Sequence, residues 1–141
     1  MKQLGLFFLL FFTAYIMYSQ EEAITLKTAS GNLQGTLLLP EVEKPPVVLI
    51  IAGSGPTDRN GNNPSLKPNY LKMLAEGLHK NNIASLRFDK RGIAESASAF
   101  KGGEIELRFE TYINDVEQWT SVLKNDSRFS SVIILGHSEG S

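Results

Sequence analysis

The chain has 141 residues, an ordinary apolar content of 42% and a nearly balanced charge, with 14 Lys and Arg against 15 Asp and Glu. This balance argues against a nucleic-acid-binding protein, which needs a concentrated basic surface. The absence of cysteine excludes a disulfide scaffold, a thiolate zinc site and a cysteine nucleophile. With only two histidines in addition, we expect neither a metal site nor a cofactor.

Residues 1–19 have the composition of a secretory signal peptide. Lys2 precedes an uncharged apolar stretch, residues 4–17, and the polar sequence YSQEE follows it. This stretch is shorter than the roughly 20 residues of a membrane-spanning helix, so we predict cleavage near Ser19 and a secreted or periplasmic protein. After cleavage no stable membrane span is expected. An uncleaved N-terminal anchor is the alternative, and the oligomeric state is left open.

The next elements are strand-like. Residues 23–27 and 35–39 flank the turn residues Ser30-Gly31-Asn32, which predicts a β-hairpin. The unbroken aliphatic run Val47–Ile51 predicts a strand buried on both faces, as in a parallel sheet. Residues 53–69 are rich in Gly, Pro, Asn and Asp and predict a long loop, which in a compact domain is usually functional.

Two amphipathic helices alternate with two further strands. Their apolar stripes are Leu71, Leu74, Ala75 and Leu78 in the first helix, and Tyr112, Val116, Trp119 and Leu123 in the second, over residues 111–124. Asn69 is the predicted N-cap of the first helix, and His79 near its end is predicted to be a solvated cation. Strands are predicted at 83–88 and 131–135. The order β-β-β-α-β-α-β predicts an α/β fold with a mostly parallel sheet, an N-terminal hairpin and helices packed on the sheet.

The last strand leads into a G-x-S-x-G sequence, Gly136-His137-Ser138-Glu139-Gly140. This spacing is typical of a nucleophile elbow, a sharp strand-to-helix turn in which side chains two residues before and after the serine would collide. The turn raises the serine oxygen above the carboxyl edge of the sheet, where N–H groups of the following turn point. A glycine-rich turn with a solvent-facing serine is the alternative.

Three stretches together resemble the α/β-hydrolase superfamily, in its branch of secreted carboxylesterases and serine-aminopeptidase-like hydrolases. VVLIIAGSGPTDRNGN is similar to the strand and oxyanion loop, LRFDKRGIAES to the turn D-x-R-G-x-G-x-S, and ILGHSEGS to the elbow. The chain departs from the pattern at Ala52, where the family often has His, and at Ala94, where Gly is commoner. The resemblance covers residues 23–141 and implies that residues 20–141 are the N-terminal part of a truncated α/β-hydrolase domain.

The resemblance implies a serine hydrolase that acts on carboxylic esters through an acyl-enzyme at Ser138. The backbone N–H groups of Ser54 and Glu139 would form the oxyanion hole, and Gly53 would allow close backbone approach. In this superfamily the triad acid and histidine follow the serine, so the chain lacks both and is expected to be inactive alone. The substrate would be a small-molecule ester or a peptide. The alternatives are a serine peptidase or aminopeptidase-like hydrolase, and a non-catalytic binding protein of the same fold.

A nucleotide-binding loop at GSGPTDRNG is not supported, because neither the Walker A spacing nor G-x-G-x-x-G is present. Other polar residues are predicted to support the structure. His137 is adjacent to the nucleophile in a tight turn, points away from its oxygen and is predicted to pack against a loop. Asp58 and Arg59 form either a loop-bracing ion pair or a substrate contact. Asp89 and Arg91 are predicted to stabilise their turn.

Overall fold

The computed structural model describes residues 20–100, 102 and 108–141; the predicted signal peptide lies outside the described residues. The elements are, in order, β1 (Gln20–Thr28), β2 (Gly31–Leu39), β3 (Val47–Ile51), α1 (Tyr70–Lys80), β4 (Ala84–Phe88), α2 (Phe109–Lys124) and β5 (Val132–Gly136), with 3-10 turns at Ala94–Ala99 and Ser138–Gly140. The predicted order of elements is confirmed. Both hairpin strands are longer than predicted, and α2 begins two residues earlier. Within these ranges, no helix has the length and apolar character needed to cross a membrane.

The five strands form one mixed sheet in the order β1-β2-β4-β3-β5. β3 is parallel to both β4 and β5, with Val47 opposite Ala84 on one side and Val132 on the other. The hairpin of β1 and β2 pairs antiparallel with β4. Helical crossovers join the parallel strands, as parallel pairing requires. The predicted α/β class and the N-terminal hairpin are therefore confirmed.

The helices lie on opposite faces of the sheet because side chains alternate along β3. Val47 and Leu49 belong to the core that contains Trp119 and Leu123 of α2. Val48 and Ile50 belong to a second core, which contains Leu71 and Ala75 of α1. The prediction that β3 is buried on both faces is confirmed. Trp119, predicted to be a core residue, is fully buried beside Phe88, with ring centroids 5.8 Å apart.

Asn69 is the N-cap residue of α1, as predicted, but its side chain does not supply the cap. Asn69 has a left-handed backbone (φ 54°), and its side chain makes no capping hydrogen bond. The carbonyl of Asn60 instead accepts hydrogen bonds from the N–H groups of Leu71 and Lys72, at 3.2 and 3.3 Å. The Asn69 side chain accepts a hydrogen bond from Asn62, 2.9 Å away, and so closes the loop. The loop folds back over the helix and supplies the cap, a tertiary arrangement that local sequence does not reveal.

At its other end α1 stops at Lys80, and Asn81 and Asn82 follow it. The N–H of Asn82 reaches the carbonyl of His79 at 3.0 Å, and Asn82 takes the left-handed conformation that ends many helices. The prediction for His79 is wrong in part. Its ring is half-buried, and Nε2 is buried with no hydrogen-bond partner among the described residues, so the side chain is not fully solvated.

Candidate active site

Three loops meet at the carboxyl edge of the parallel strands. Ala52-Gly53-Ser54 follows β3, Asp89-Lys90-Arg91 follows β4, and His137-Ser138-Glu139 follows β5. Pairing between β3 and β5 continues into the last of these, because the N–H of His137 donates to the carbonyl of Ile51 at 3.1 Å. This edge of an open α/β sheet is where such folds place their ligands. The topology therefore brings the predicted nucleophile and the predicted oxyanion loop together.

The turn that carries Ser138 has no room for side chains at its two glycines. Ser138 has a left-handed backbone (φ 56°), a strained conformation for serine that clusters at functional sites. A Cβ at Gly136 would lie 2.0 Å from the carbonyl oxygen of Gly140, and one at Gly140 would lie 2.8 Å from that of Ile51. Both contacts are far below van der Waals distance. The steric reason that the sequence suggested for these glycines is therefore present in the structure.

The loop after β3 lies directly on this turn. A Cβ at Gly53 would be 3.0 Å from Nδ1 of His137 and 3.2 Å from Cβ of Ser138. The next residue, Ser54, is exposed, and its carbonyl accepts a hydrogen bond from the Thr57 hydroxyl at 3.2 Å. In the described part of the chain, the N–H of Ser54 donates no hydrogen bond. This donor is thus available to a ligand beside Ser138.

Lys90 is a residue of the site that the sequence reasoning did not single out. Its side chain is only 7% exposed, and Nζ donates a hydrogen bond of 2.5 Å to the carbonyl of Gly53. Nζ also lies 4.0 Å from the carboxylate of Glu139 and 5.5 Å from the ring centroid of Tyr112. The sequence holds one signal for it: a lysine in the turn that follows a buried central strand, at the sheet edge where the elbow is expected. The Glu139 carboxylate is half-exposed and near this cation.

The long loop of residues 53–69 is held by its own polar side chains. One oxygen of Asp58 accepts hydrogen bonds from the N–H groups of Asn60 and Asn62, both at 2.8 Å. The N–H of Arg59 donates to Asp89 at 2.7 Å, and its guanidinium contacts Asp89 at 3.6 Å as well as Glu95. Asp58 and Arg59 therefore both brace the loop, but through other partners and not as the predicted pair. Burial raises the pKa of Asp89, against the opposing effect of Arg59.

Arg91 fixes the turn after β4 to the rest of the fold. Its guanidinium makes two hydrogen bonds to Asp115 of α2, at 2.7 and 2.6 Å, and both side chains are buried. It also donates to Thr28 at the end of β1, at 3.1 Å. Burial raises the pKa of Asp115, and the hydrogen bonds from Arg91 oppose that rise. The prediction that Asp89 and Arg91 stabilise this turn is confirmed, and the turn is what places Lys90.

His137 has a packing role in this structure. Its ring lies 5.1 Å from the ring of Tyr70, centroid to centroid, at an interplanar angle of 47°. Its Nδ1 faces Gly53 on the oxyanion loop. The residue thus connects the elbow, the loop after β3 and the start of α1, which agrees with the loop-supporting role predicted for it.

A cleft of ≈ 450 Å³ opens beside these groups. Backbone and side-chain atoms of both polar and apolar residues line it, including Ser54, Lys90, Phe100, Tyr112 and Glu139. Its polar lining comes from the loops that follow β3, β4 and β5. The cleft is therefore next to the donors that the sequence assigns to an oxyanion hole.

No protein-family model matches the chain, and a search of curated proteins also finds no match. Solved structures do match. The esterase Pf2001 from Pyrococcus furiosus has a TM-score of 0.66 at 19% identity, over 86% of this chain and 44% of the esterase. Dienelactone hydrolase from Anabaena variabilis has a TM-score of 0.63 at 22% identity, over 86% and 53%. XC6422 from Xanthomonas campestris, an α/β serine hydrolase without a lid, has a TM-score of 0.60 at 22% identity, over 86% and 52%.

The chain thus spans about half the length of each of these three structures. At these identities the likeness concerns the fold, and it includes the mixed sheet, the hairpin and the two helices described above. From the N-terminal hairpin to the turn that carries Ser138, the chain has the α/β-hydrolase fold.

Proposed function

We propose that the protein is a serine hydrolase that cleaves carboxylic esters, with Ser138 as its nucleophile. One observation carries the proposal: Ser138 has a strained left-handed backbone at the carboxyl end of β5, and Gly53 of the neighbouring loop packs against it. Strain of this kind persists only where the surrounding structure maintains it. The fold supports the proposal, since an esterase and a dienelactone hydrolase share it.

In the proposed reaction, Oγ of Ser138 attacks the ester carbonyl and gives up its proton to a general base. The carbonyl oxygen becomes an oxyanion, which accepts hydrogen bonds from the N–H groups of Ser54 and Glu139. Collapse of this intermediate expels the alcohol, which takes a proton, and leaves an acyl group on Ser138. Water then attacks the acyl-enzyme and releases the carboxylic acid.

The general base and the acid that orients it follow the serine in α/β-hydrolases. We therefore propose that this chain supplies the nucleophile and the oxyanion hole, and that residues 20–141 alone have no serine-dependent turnover. The measurement is hydrolysis of p-nitrophenyl acetate by the purified, folded chain. Turnover that disappears in Ser138→Ala would contradict this proposal.

A fluorophosphonate probe on the full-length gene product tests the nucleophile. We expect covalent labelling of the wild type and none of Ser138→Ala. Ser65→Ala is the matched control, because Ser65 is exposed in the long loop and its hydroxyl makes no hydrogen bond in the described part of the chain. If the folded wild type is not labelled, the protein is a binding protein of this fold. A preference for peptide p-nitroanilides over p-nitrophenyl esters would instead indicate a peptidase.

We also propose that the protein is exported. The support is the apolar stretch of residues 4–17, together with the start of β1 at Gln20, directly after the predicted cleavage site. Mass spectrometry of the protein from the periplasm or medium should find an N-terminus near Gln20. Full-length chains that remain with the membrane would indicate an anchor.

A further inference from the structure

We infer that Lys90 is a positioning residue of the oxyanion hole: it orients and polarises the peptide group that presents the N–H of Ser54. The inference rests on the proposed function of Ser138. It starts from one hydrogen bond, the 2.5 Å contact between Nζ of Lys90 and the carbonyl of Gly53. That carbonyl and the N–H of Ser54 are the two ends of the same peptide group.

The geometry of a peptide group makes this contact act on the donor. In a planar trans peptide the C=O and the N–H point in opposite directions. A cation held on the carbonyl side therefore fixes the direction of the N–H on the other side. Without such a restraint a peptide next to glycine rotates more freely, since Gly53 has no side chain to limit it. The loop needs this restraint because its packing against Ser138 occurs at Gly53 itself.

Burial makes the contact strong. The Lys90 side chain is 7% exposed, so water competes little for its ammonium group. A hydrogen bond with an ionised partner is roughly twice as strong as one between neutral groups. Because this bond polarises the carbonyl of Gly53, the N–H of Ser54 in the same peptide group becomes a better donor. The effect on catalysis is selective, because the oxyanion forms only on the way to the transition state. Lys90 therefore acts on kcat more than on substrate binding.

Lys90 also lies near the residue that carries the second proposed donor. Its Nζ lies 4.0 Å from the carboxylate of Glu139, the residue whose N–H is the other proposed donor. One ammonium group thus lies between the peptide group of Gly53 and Ser54 and the side chain of Glu139. The same contact keeps the Glu139 carboxylate on the Lys90 side, where its negative charge is compensated. Nζ also lies over the ring of Tyr112, 5.5 Å from its centroid, where the face of the ring attracts a cation.

Three variants of the full-length gene product test the inference. Lys90→Met removes the cation and the donor but keeps the length of the side chain. Lys90→Gln keeps a neutral donor and protects the fold, so it carries the test if Lys90→Met does not fold. Lys80→Met is the matched control, because Lys80 is exposed at the far end of α1. The measurements are kcat and KM for p-nitrophenyl acetate, the fluorophosphonate labelling rate, and the affinity for a trifluoromethyl ketone, whose serine adduct carries an oxyanion.

We expect kcat of Lys90→Met to fall by roughly 10- to 100-fold with KM within about twofold, a smaller loss than deletion of an oxyanion donor causes. The labelling rate and the ketone affinity should fall with kcat, less in Lys90→Gln and not in Lys80→Met. Wild-type kcat and ketone affinity in either folded Lys90 variant would overturn the inference, as would a loss that only follows the amount of folded protein. In that case Ser138→Ala still tests the proposed function separately, since labelling that survives in Ser138→Ala would reject the nucleophile itself.

Discussion

Gly53 lies against Ser138 with no space for a side chain between them. A Cβ at Gly53 would be 3.2 Å from Cβ of Ser138, tighter than nine in ten such contacts in proteins. The two residues follow β3 and β5, which are neighbours in the sheet. Because the strands are parallel and paired in register, their ends fix the distance between the loop and the elbow. The distance between the proposed nucleophile and the proposed oxyanion donor is thus set by the sheet.

Gly53→Ala tests this contact. The added methyl group would press on Nδ1 and the carbonyl of His137 and on Ser138, so the loop must move by a few tenths of an ångström. A small misplacement of catalytic groups has a large effect on rate, and we expect kcat of the full-length gene product to fall about tenfold or more. Steady-state kinetics on p-nitrophenyl acetate measures the effect.

Gly77→Ala is the control for this substitution. Gly77 lies in α1, and a Cβ there would meet no atom of the described residues within 4 Å outside the backbone around it. The variant should keep wild-type kinetics and raise the free energy of unfolding by up to about 1 kcal/mol, because alanine is the better helix former. Unchanged kcat in Gly53→Ala would show that the loop tolerates a displacement from the elbow.

Ala94→Gly should stabilise the protein. Ala94 has a left-handed backbone (φ 44°) and is exposed, and this conformation costs a residue with a Cβ about 1–2 kcal/mol. Glycine removes that strain from the folded state. Its greater conformational entropy stabilises the unfolded chain and offsets part of the gain, so we expect the unfolding free energy to rise by about 0.5–1 kcal/mol. Urea denaturation followed by circular dichroism measures it.

Ala97→Gly provides the comparison within the same 3-10 turn. Ala97 is also exposed but does not have a positive φ, so glycine there should lower the unfolding free energy by roughly 0.5–1 kcal/mol. Opposite signs for the two substitutions are the expected result. Two changes of the same sign would show that strain at Ala94 has no part in stability.

Ala94 also shows what the sequence could and could not predict. The sequence shows that alanine stands where glycine is usual. It does not show that this residue has a left-handed backbone, which is what makes the alanine destabilising. Strands and helices were predictable because their apolar patterns are local, as in the unbroken run Val47–Ile51. The roles of Lys90 and Asn60 were not, since each depends on which loops meet after the strands have paired. Their partners lie far away in sequence and carry no periodic signal.

Asp115→Ala should destabilise the protein strongly. Arg91 would keep its buried position but lose its paired anion, and an unpaired buried charge costs about 3–5 kcal/mol. The double variant Arg91→Met, Asp115→Leu removes both charges and should recover much of that loss. Chemical denaturation of the two variants measures the difference. A double variant no more stable than Asp115→Ala would show that the hydrogen bonds of Arg91 to the hairpin matter more than the charge pair.

The turn between α2 and β5 should contribute to stability in a pH-dependent way. Hydrogen bonds from Arg128 to Asp126, the shortest 2.7 Å, hold the pKa of this carboxyl below its ordinary value of 3.8. As the pH falls below the ordinary value, the unfolded chain binds a proton that the folded state does not yet bind. The free energy of unfolding therefore decreases with falling pH until the folded state is protonated as well. Asp126→Asn should be less stable at pH 7 and should lose this part of the acid dependence.

The measurement is thermal unfolding of wild type and Asp126→Asn between pH 2 and pH 7. Arg128→Met, which removes the hydrogen-bond donor and leaves the carboxyl, should flatten the same part of the profile. It should also cost the contact between Arg128 and Glu22, 2.8 Å long, which ties β1 to this turn. Because Arg128 is 44% exposed, solvent screens the pair and added salt should reduce the difference between wild type and variants. If the stability of Asp126→Asn falls with decreasing pH as steeply as that of the wild type, other carboxyl groups account for the acid dependence.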